Sequence, residues 1–290
     1  MASRKDFSRV NFSADETSEW ISKQILNDRA FIVSRFGNVE LEWYIQQKVM
    51  GKNILERLYA FFTFQTDVWR LKHRVIKHSY FVPDDVENSL FFERTMDAVI
   101  PEIDFLASWS KGETSKYLKL KENIPYTFLF DIEPYKASVP WTLALKGKKV
   151  LVINPMVDLF EKQLNERVNL FKKETLPEFE LVKLKSLFFD DEVYDTWQKV
   201  FEFYEREIPK LDFDVAIIGC GTWGMPICKI VKDLGKGAIH LGGATQLMFG
   251  VMGKRWKDWP DYAALVNEYW ITEHKEKPKV AEVIEGSCYW

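Results

Sequence analysis

Three glycines with the spacing G-x-G-x-x-G, namely Gly219, Gly221 and Gly224, follow a short apolar run over residues 215–218. The pattern predicts a strand, a tight turn and a helix. Glycines leave no side chains in the way, so a ligand can approach the backbone amides at the helix N-terminus. The turn therefore indicates either a site for a phosphate-bearing ligand or simply a tight strand-to-helix connection.

A dinucleotide site would also need an acidic residue at the end of the next strand, where it binds the ribose. That strand is predicted over residues 238–241, and it is followed instead by Gly242 and Gly243. We therefore expect no NAD. A phosphate-bearing ligand of another kind is favoured, while a Rossmann-type methyltransferase or an NAD-dependent enzyme stays open as an alternative.

The second glycine turn is expected to lie beside the first, because neighbouring strands of a parallel sheet end at one crevice. Lys254 and Arg255 follow within a dozen residues and could reach a pyrophosphate, or they are solvated surface charges. The side chains and glycines that these two turns bring to the crevice are Gly219, Gly221, Thr222, Trp223, His240, Gly242, Gly243 and Gln246.

A third turn of this type follows the apolar run at residues 30–34 and contains Arg35, Gly37, Asn38 and Glu40. Arg35 can pair with a phosphate, and Glu40 can ligate a divalent cation or accept a proton. The alternative is an ion pair between Arg35 and Glu40, with Asn38 capping the next helix.

Other polar groups lie in or after predicted strands. Asp104 lies inside the strand predicted over residues 103–107, and Trp109 follows it. Glu133 follows a strand at 126–130, where it could bind sugar hydroxyls or be an ordinary loop charge. Asn154 follows an unbroken apolar run at 149–153 and is well placed for the crevice.

These runs predict the fold. A continuous apolar run indicates a strand that is covered on both faces, which is typical of a parallel sheet in an α/β protein. With further strands at 179–187, 215–218 and 238–241, we predict about seven strands in a Rossmann-like, doubly wound, mostly parallel sheet. Residues 1–290 would form one domain, with residues 50–100 as a helical insertion. Helices are also predicted over 14–28, with Ser13 as the cap, and over 262–270.

Composition excludes several classes of protein. The 290 residues include 40 basic and 43 acidic side chains, a net charge of -3, so a general affinity for nucleic acid is not expected. No apolar run approaches the ~20 residues of a transmembrane helix, and the N-terminus lacks the apolar core of a signal peptide, so we expect a cytoplasmic protein. The three cysteines have no paired spacing. An aromatic fraction of 15%, with 11 Trp, suits carbohydrate binding.

The segment from Ile32 to Leu41, IVSRFGNVEL, resembles the R-[FY]-G-D-G-E motif of glycosyltransferases with the GT-D fold. The segments GCGTWG and AIHLGGATQLMFGVMGKRW are similar to GT-D-like proteins from bacterial surface-polysaccharide loci and large algal viruses. Those proteins also end like residues 286–290, Gly-Ser-Cys-Tyr-Trp. Scattered similarity covers most of the chain from about residue 30.

The resemblance implies a hexosyl- or pentosyltransferase that moves a sugar from a UDP-sugar, such as UDP-glucose, UDP-galactose or UDP-xylose, to a glycan hydroxyl. Glu40 would be the catalytic base. Asn38 stands where the family has Asp, which weakens the case for Mn²⁺ or Mg²⁺ and leaves Glu40 as the metal ligand if there is one. An inactive glycan-binding relative is therefore a further alternative.

For a glycosyltransferase, the polar residues described above divide between two substrates. Asp104, Trp109 and Glu133 would contact the acceptor. The donor would be bound by Arg35, Gly37, Asn38, Asn154, Gly219, Gly221, Thr222, Trp223, His240, Gly242, Gly243, Gln246, Lys254 and Arg255.

Overall fold

The chain folds around a sheet of seven parallel strands. The structure is a computed structural model that describes residues 10–62, 86–187, 193–273 and 287–290. In space the strands follow the order β3-β2-β1-β7-β6-β4-β5. The predicted α/β class and parallel sheet are confirmed. The strands are β1 Phe31–Arg35, β2 Phe105–Ser108, β3 Tyr126–Phe128, β4 Lys149–Asn154, β5 Glu180–Lys185, β6 Val215–Ile218 and β7 Gly237–His240.

Helices cover both faces of this sheet. The first begins as predicted, because Ser13 and Glu16 form a capping box at its N-terminus. The described helices are α1 Ala14–Leu26, α2 Asn38–Met50, α3 Ile54–Phe62, α4 Val86–Val99, α5 Val157–Leu164, α6 Trp197–Glu207, α7 Gly224–Asp233, α8 Ala244–Met248, α9 Lys254–Lys257 and α10 Pro260–Ala263. Among the described helices, none has the length and apolar character needed to cross a bilayer.

The predicted helix over residues 262–270 was wrong. The helix in this region, α10, ends at Ala263. The Asn267 side chain then accepts a hydrogen bond from the Tyr269 amide at 3.0 Å, and such a local side-chain turn competes with helix formation.

Two buried clusters show how the chain winds about the sheet. One contains residues of α2, α4, α6 and α7, and the other contains residues of α1, α5 and α8. The helix after β1, α2, thus lies on the opposite face from α8, the helix after β7, although β1 and β7 are neighbours. Ligands of doubly wound proteins bind at the carboxyl ends of such a strand pair, because the two connections leave a crevice between them.

The region predicted as a helical insertion, residues 50–100, contains two described helices. Residues Phe92, Met96 and Val99 of α4 are buried in the first cluster, so α4 belongs to the layer that covers the sheet. The described apolar side chains of α3, Ile54, Leu55, Leu58, Tyr59 and Phe62, are exposed. Residues 63–85 lie outside the described part of the chain.

Candidate functional site

Arg35 ends β1 and packs against the turn that follows β7. A Cβ atom added to Gly242 would lie 2.6 Å from Arg35 Nε, so only glycine lets the guanidinium lie on this backbone. Gly242 has φ 59°, which also favours glycine. The Nε atom of Arg35 is buried, and within the described residues it has no hydrogen-bond partner. A buried N–H group without a hydrogen-bond partner costs free energy.

The turn after β6 lies on the other side of Gly242. A Cβ atom added to Gly219 would lie 2.5 Å from the Gly242 carbonyl oxygen. The three predicted turns, after β1, β6 and β7, are therefore neighbours. The Asn154 side chain stabilises the turn after β6, because its Nδ2 donates to the Gly219 carbonyl at 2.8 Å. Its Oδ1 accepts from the Met156 amide at 2.9 Å, so Asn154 links this turn to the backbone that follows β4.

The backbone N–H groups of Gly219 and Gly242 already donate hydrogen bonds to carbonyl groups of the sheet. Gly219 N donates to the Ile153 carbonyl at 2.9 Å, and Gly242 N donates to the Ile218 carbonyl at 3.2 Å. Gly221, which is exposed and has φ 65°, turns the chain toward α7. The glycines thus bring the turns together.

The side chain of His240, the last residue of β7, contacts Ser34 of β1, the residue before Arg35. Its Nδ1 lies 3.1 Å from the hydroxyl of Ser34, and its ring packs on Gly224, where an added Cβ would lie 2.6 Å from Cδ2. Burial, followed by the positive charge of Arg35, lowers the pKa of His240 to about 3, so the imidazole is neutral at physiological pH. Sequence analysis missed Ser34, whose one signal is a polar residue inside an apolar strand.

The loop between β1 and α2, residues 36–37, is contacted by Glu40 from the first turn of α2 and by Trp109. A Cβ atom added to Gly37 would lie 2.6 Å from Glu40 Oε1, so the carboxylate folds back over the loop. Trp109 Nε1 donates to the Phe36 carbonyl at 2.7 Å, which places the indole beside the same loop. Asn38 is exposed at the start of α2, and the cap position belongs to Gly37, so the predicted Asn38 cap was wrong.

Thr222 and Trp223 point into the core, which corrects their prediction as donor-binding side chains. Thr222 Oγ1 accepts from Trp197 Nε1 at 2.9 Å, and Trp223 Nε1 donates to the Trp197 carbonyl at 3.1 Å. The two indole rings stack with centroids 6.2 Å apart. The side chains of Thr222 and Trp223 therefore pack the turn after β6 against α6.

The C-terminal residues cover part of the second glycine turn. A Cβ atom added to Gly243 would lie 2.5 Å from the Tyr289 ring, and Gln246 Nε2 donates to the Tyr289 carbonyl at 3.2 Å. Gly243 and the buried Gln246 are thus occupied by the tail, which corrects their predicted contact with the donor. Arg255 Nη1 donates to the Tyr289 hydroxyl at 2.9 Å, and Lys254 is exposed. The tail motif predicted no such contact, and its first residue, position 286, lies outside the described residues.

Asp104 lies at the amino edge of the sheet, opposite the crevice. The residue precedes β2 instead of lying within it, and it accepts from the Ile32 amide at 2.9 Å. Its carboxylate also pairs with Lys121 at 2.6 Å and Lys232 at 2.8 Å. This position does not agree with its predicted contact with the acceptor.

Glu133 is buried within an aromatic cluster, which corrects its prediction as an acceptor contact. Its two carboxylate oxygens lie 2.9 and 3.0 Å from the Tyr262 hydroxyl. Burial raises the pKa of Glu133 from 4.5 to about 7, although the hydrogen bond from Tyr262 opposes the shift. No acceptor hydroxyl can reach this carboxylate without displacing Tyr262.

Asn38 and Glu40 alone do not complete a site for Mg²⁺ or Mn²⁺. Asn38 and Glu40 supply one carboxylate and one amide, whereas Mg²⁺ requires about six oxygen ligands. Within the described residues there is no group of three or more His, Cys, Asp or Glu side chains that could hold a metal ion.

An open groove of about 510 Å³ lies between α4, α6 and α7, on the face of the first cluster. Its walls carry charges of both signs, and Lys229 is paired with Asp233 at 2.7 Å. None of the predicted site residues lines it.

Comparisons with known proteins give distant structural similarity alone. No family model and no curated protein matches the chain. One similar solved structure is described as the highly conserved domain of unknown function 1792 with a distinct glycosyltransferase fold. It has a TM-score of 0.41 and 12% identity, over 93% of this chain and 92% of that one. Another, a selenomethionine-substituted structure of domain of unknown function 1792, has a TM-score of 0.35 and 14% identity over the same shares. Similarity of this size carries no argument about activity, so the function rests on the geometry of the site.

The packing of His240 on Gly224 predicts that Gly224→Ala destabilises the fold. The added methyl group would displace the imidazole from its contact with Ser34, which we expect to lower the free energy of unfolding by about 1–3 kcal/mol. Urea unfolding measures this. Gly51→Ala is the matched control, because the nearest atoms to its added Cβ lie 3.8 Å away. Equal losses in both variants would contradict the proposed contact.

The buried carboxyl of Glu133 predicts a pH-dependent stability. Because the pKa is higher in the folded chain, ionisation of Glu133 destabilises the fold as pH rises from 4.5 to above 7. Glu133→Gln should therefore gain stability relative to the parent over this range, by on the order of 3 kcal/mol. Urea unfolding at several pH values checks this, with the exposed Glu174→Gln as the control. A difference from the parent that does not change with pH would refute the shifted pKa.

Proposed function

We propose that the protein is a glycosyltransferase that moves a hexose or pentose from a UDP-sugar to a hydroxyl group of a glycan. The observation that carries this proposal is the Arg35 guanidinium on the Gly242 turn, with a buried Nε that has no partner among the described residues. A guanidinium binds phosphate oxygens with several N–H groups at once. The resemblance of residues 32–41 to the GT-D motif supports a sugar nucleotide as the phosphate ligand.

In this proposal Arg35 stabilises the departing diphosphate. Negative charge develops on the leaving oxygen as its bond to the sugar breaks, and a fixed guanidinium that faces this oxygen lowers the energy of the transition state. The Gly242 backbone and the β1 strand hold the guanidinium in place before the donor binds. Arg255, beside Tyr289, is the second cation that we assign to the donor.

Glu40 is the proposed base. It lies five residues after Arg35, in the first turn of α2 and beside the loop at residues 36–37, and a carboxylate here can take the proton of the acceptor hydroxyl as its oxygen bonds to the sugar. The leaving diphosphate takes the electron pair of the broken bond. Trp109, which is hydrogen-bonded to this loop, offers an aromatic surface to the acceptor sugar.

The donor and the metal requirement are tested by a screen of UDP- and GDP-sugars for slow hydrolysis, with and without Mn²⁺. We assign no step to a metal, because Asn38 and Glu40 do not make a resident site. Melting temperatures with UDP, NAD or S-adenosylmethionine test the alternatives, since a ligand that binds the folded chain raises the melting temperature. We expect UDP alone to do so. Stabilisation by NAD or S-adenosylmethionine would favour an oxidoreductase or a methyltransferase instead.

Replacement of the proposed phosphate ligand should weaken nucleotide binding. We expect Arg35→Gln to raise the Kd for UDP about tenfold or more, because it removes a charge-assisted hydrogen bond. Isothermal titration calorimetry measures the Kd. Arg29→Gln is the matched control, since Arg29 is exposed at the other end of β1. If both variants bind UDP like the parent, Arg35 does not contact the diphosphate.

Replacement of the proposed base should slow transfer and leave binding intact. We expect Glu40→Gln to lower kcat by about 10²–10⁴ with little change in the Kd for UDP. Glu42→Gln is the control, because Glu42 is exposed two residues further along α2. Unchanged kcat would remove Glu40 from the mechanism. A parent protein that binds UDP but turns over no donor would instead indicate an inactive glycan-binding relative.

A further inference from the structure

Residues 287–290 pack against the turn that follows β7. The Trp290 side chain is buried in the second cluster, and Gln246 Nε2 donates to the Tyr289 carbonyl at 3.2 Å. A Cβ atom added to Gly253 would lie 2.9 Å from the Tyr289 carbonyl oxygen, so a larger residue at this position would displace the segment. Residues 287–290 are therefore a fitted part of the fold beside the second glycine turn.

The Tyr289 side chain lies beside the turn that holds Arg35. A Cβ atom added to Gly243 would lie 2.5 Å from Tyr289 Cε1, and the Arg35 guanidinium lies on the preceding residue, Gly242. Consecutive Cα atoms are about 3.8 Å apart. The side chains of Tyr289 and Arg35 therefore border the same turn.

The Tyr289 side chain in turn holds Arg255. Arg255 Nη1 donates to the Tyr289 hydroxyl at 2.9 Å, and its Cζ lies 5.4 Å from the centroid of the Tyr289 ring. The Arg255 amide also donates to the Cys288 carbonyl at 2.9 Å, so both its backbone and its side chain contact residues 287–290. Ordering an exposed arginine side chain costs entropy, and a contact that orders it before a ligand binds reduces the cost of binding. Tyr289 thus restricts Arg255 to a position near the turn that holds Arg35.

We propose that Tyr289 is a positioning residue, which holds Arg255 where it binds the second phosphate of a nucleoside diphosphate. This inference rests on the proposed function, in which Arg35 binds the diphosphate. A diphosphate carries more negative charge and more oxygen acceptors than a monophosphate, and two guanidinium groups beside one turn match both. The chain should therefore bind UDP more tightly than UMP, and the contact between Arg255 and Tyr289 should account for part of this difference.

Isothermal titration calorimetry of the full chain with UDP and with UMP tests the proposal. We expect Tyr289→Phe to raise the Kd for UDP about threefold to tenfold, because it removes the hydroxyl that holds Arg255, and to leave the Kd for UMP nearly unchanged. Arg255→Gln should also weaken UDP binding selectively. The double variant should bind UDP no more weakly than Arg255→Gln alone, because Tyr289 acts through Arg255.

Tyr194→Phe is the matched control for this titration. The Tyr194 hydroxyl accepts from Arg206 Nη2 at 3.2 Å, which is the same kind of contact. Tyr194 packs against the first cluster and Tyr289 against the second, so the two contacts lie on opposite faces of the sheet. Tyr194→Phe should bind UDP and UMP like the parent.

Several results would overturn the proposal. Tyr289→Phe would bind UDP like the parent, or the losses in Tyr289→Phe and Arg255→Gln would add in the double variant. Equal losses for UDP and UMP would show a purely structural role, and partial unfolding cannot mimic selectivity because both Kd values refer to the same folded protein. If Arg35→Gln weakens UDP binding and Tyr289→Phe does not, this inference fails and the proposed function stands. A parent protein that binds no UDP would refute both.

Discussion

The candidate site depends on the close approach of the Arg35 guanidinium to the backbone of Gly242. A side chain at Gly242 would occupy the space of the guanidinium, and the backbone there has φ 59°. On the other side, Gly219 packs on the Gly242 carbonyl, so the turns after β1, β6 and β7 meet at one point. The winding of the chain explains why they meet there, because the helices after β1 and β7 leave toward opposite faces of the sheet.

Packing explains the spacing G-x-G-x-x-G in this chain. Gly219 lies against Gly242, Gly221 has a positive φ, and Gly224 makes room for the His240 ring. The amides of Gly219 and Gly242 are bonded within the sheet. A pattern that resembles a dinucleotide fingerprint thus brings strand ends together, and the proposed phosphate ligand is a side chain, Arg35.

Sequence reasoning predicted the sheet well because its signal is local. Each apolar run is a strand, and strands with two covered faces pair in parallel. It also placed the three turns together, since parallel strands end at a common edge. The direction of individual side chains could not be predicted, because it depends on partners distant in sequence. Thr222 turns toward Trp197, and Glu133 is covered by Tyr262, which lies 129 positions away. Asp104 was misplaced for a local reason, since β2 begins at Phe105 and leaves Asp104 at the opposite edge.

The most direct test of the account is the NMR signal of the Arg35 Nε–H group during a titration with UDP. The signal is assigned by its absence in Arg35→Lys. If Arg35 binds the diphosphate, this resonance should shift with the same saturation curve as the nucleotide, because its buried Nε then gains an oxygen acceptor. Saturation by UDP with an unchanged Arg35 Nε resonance would contradict the account and place the nucleotide elsewhere.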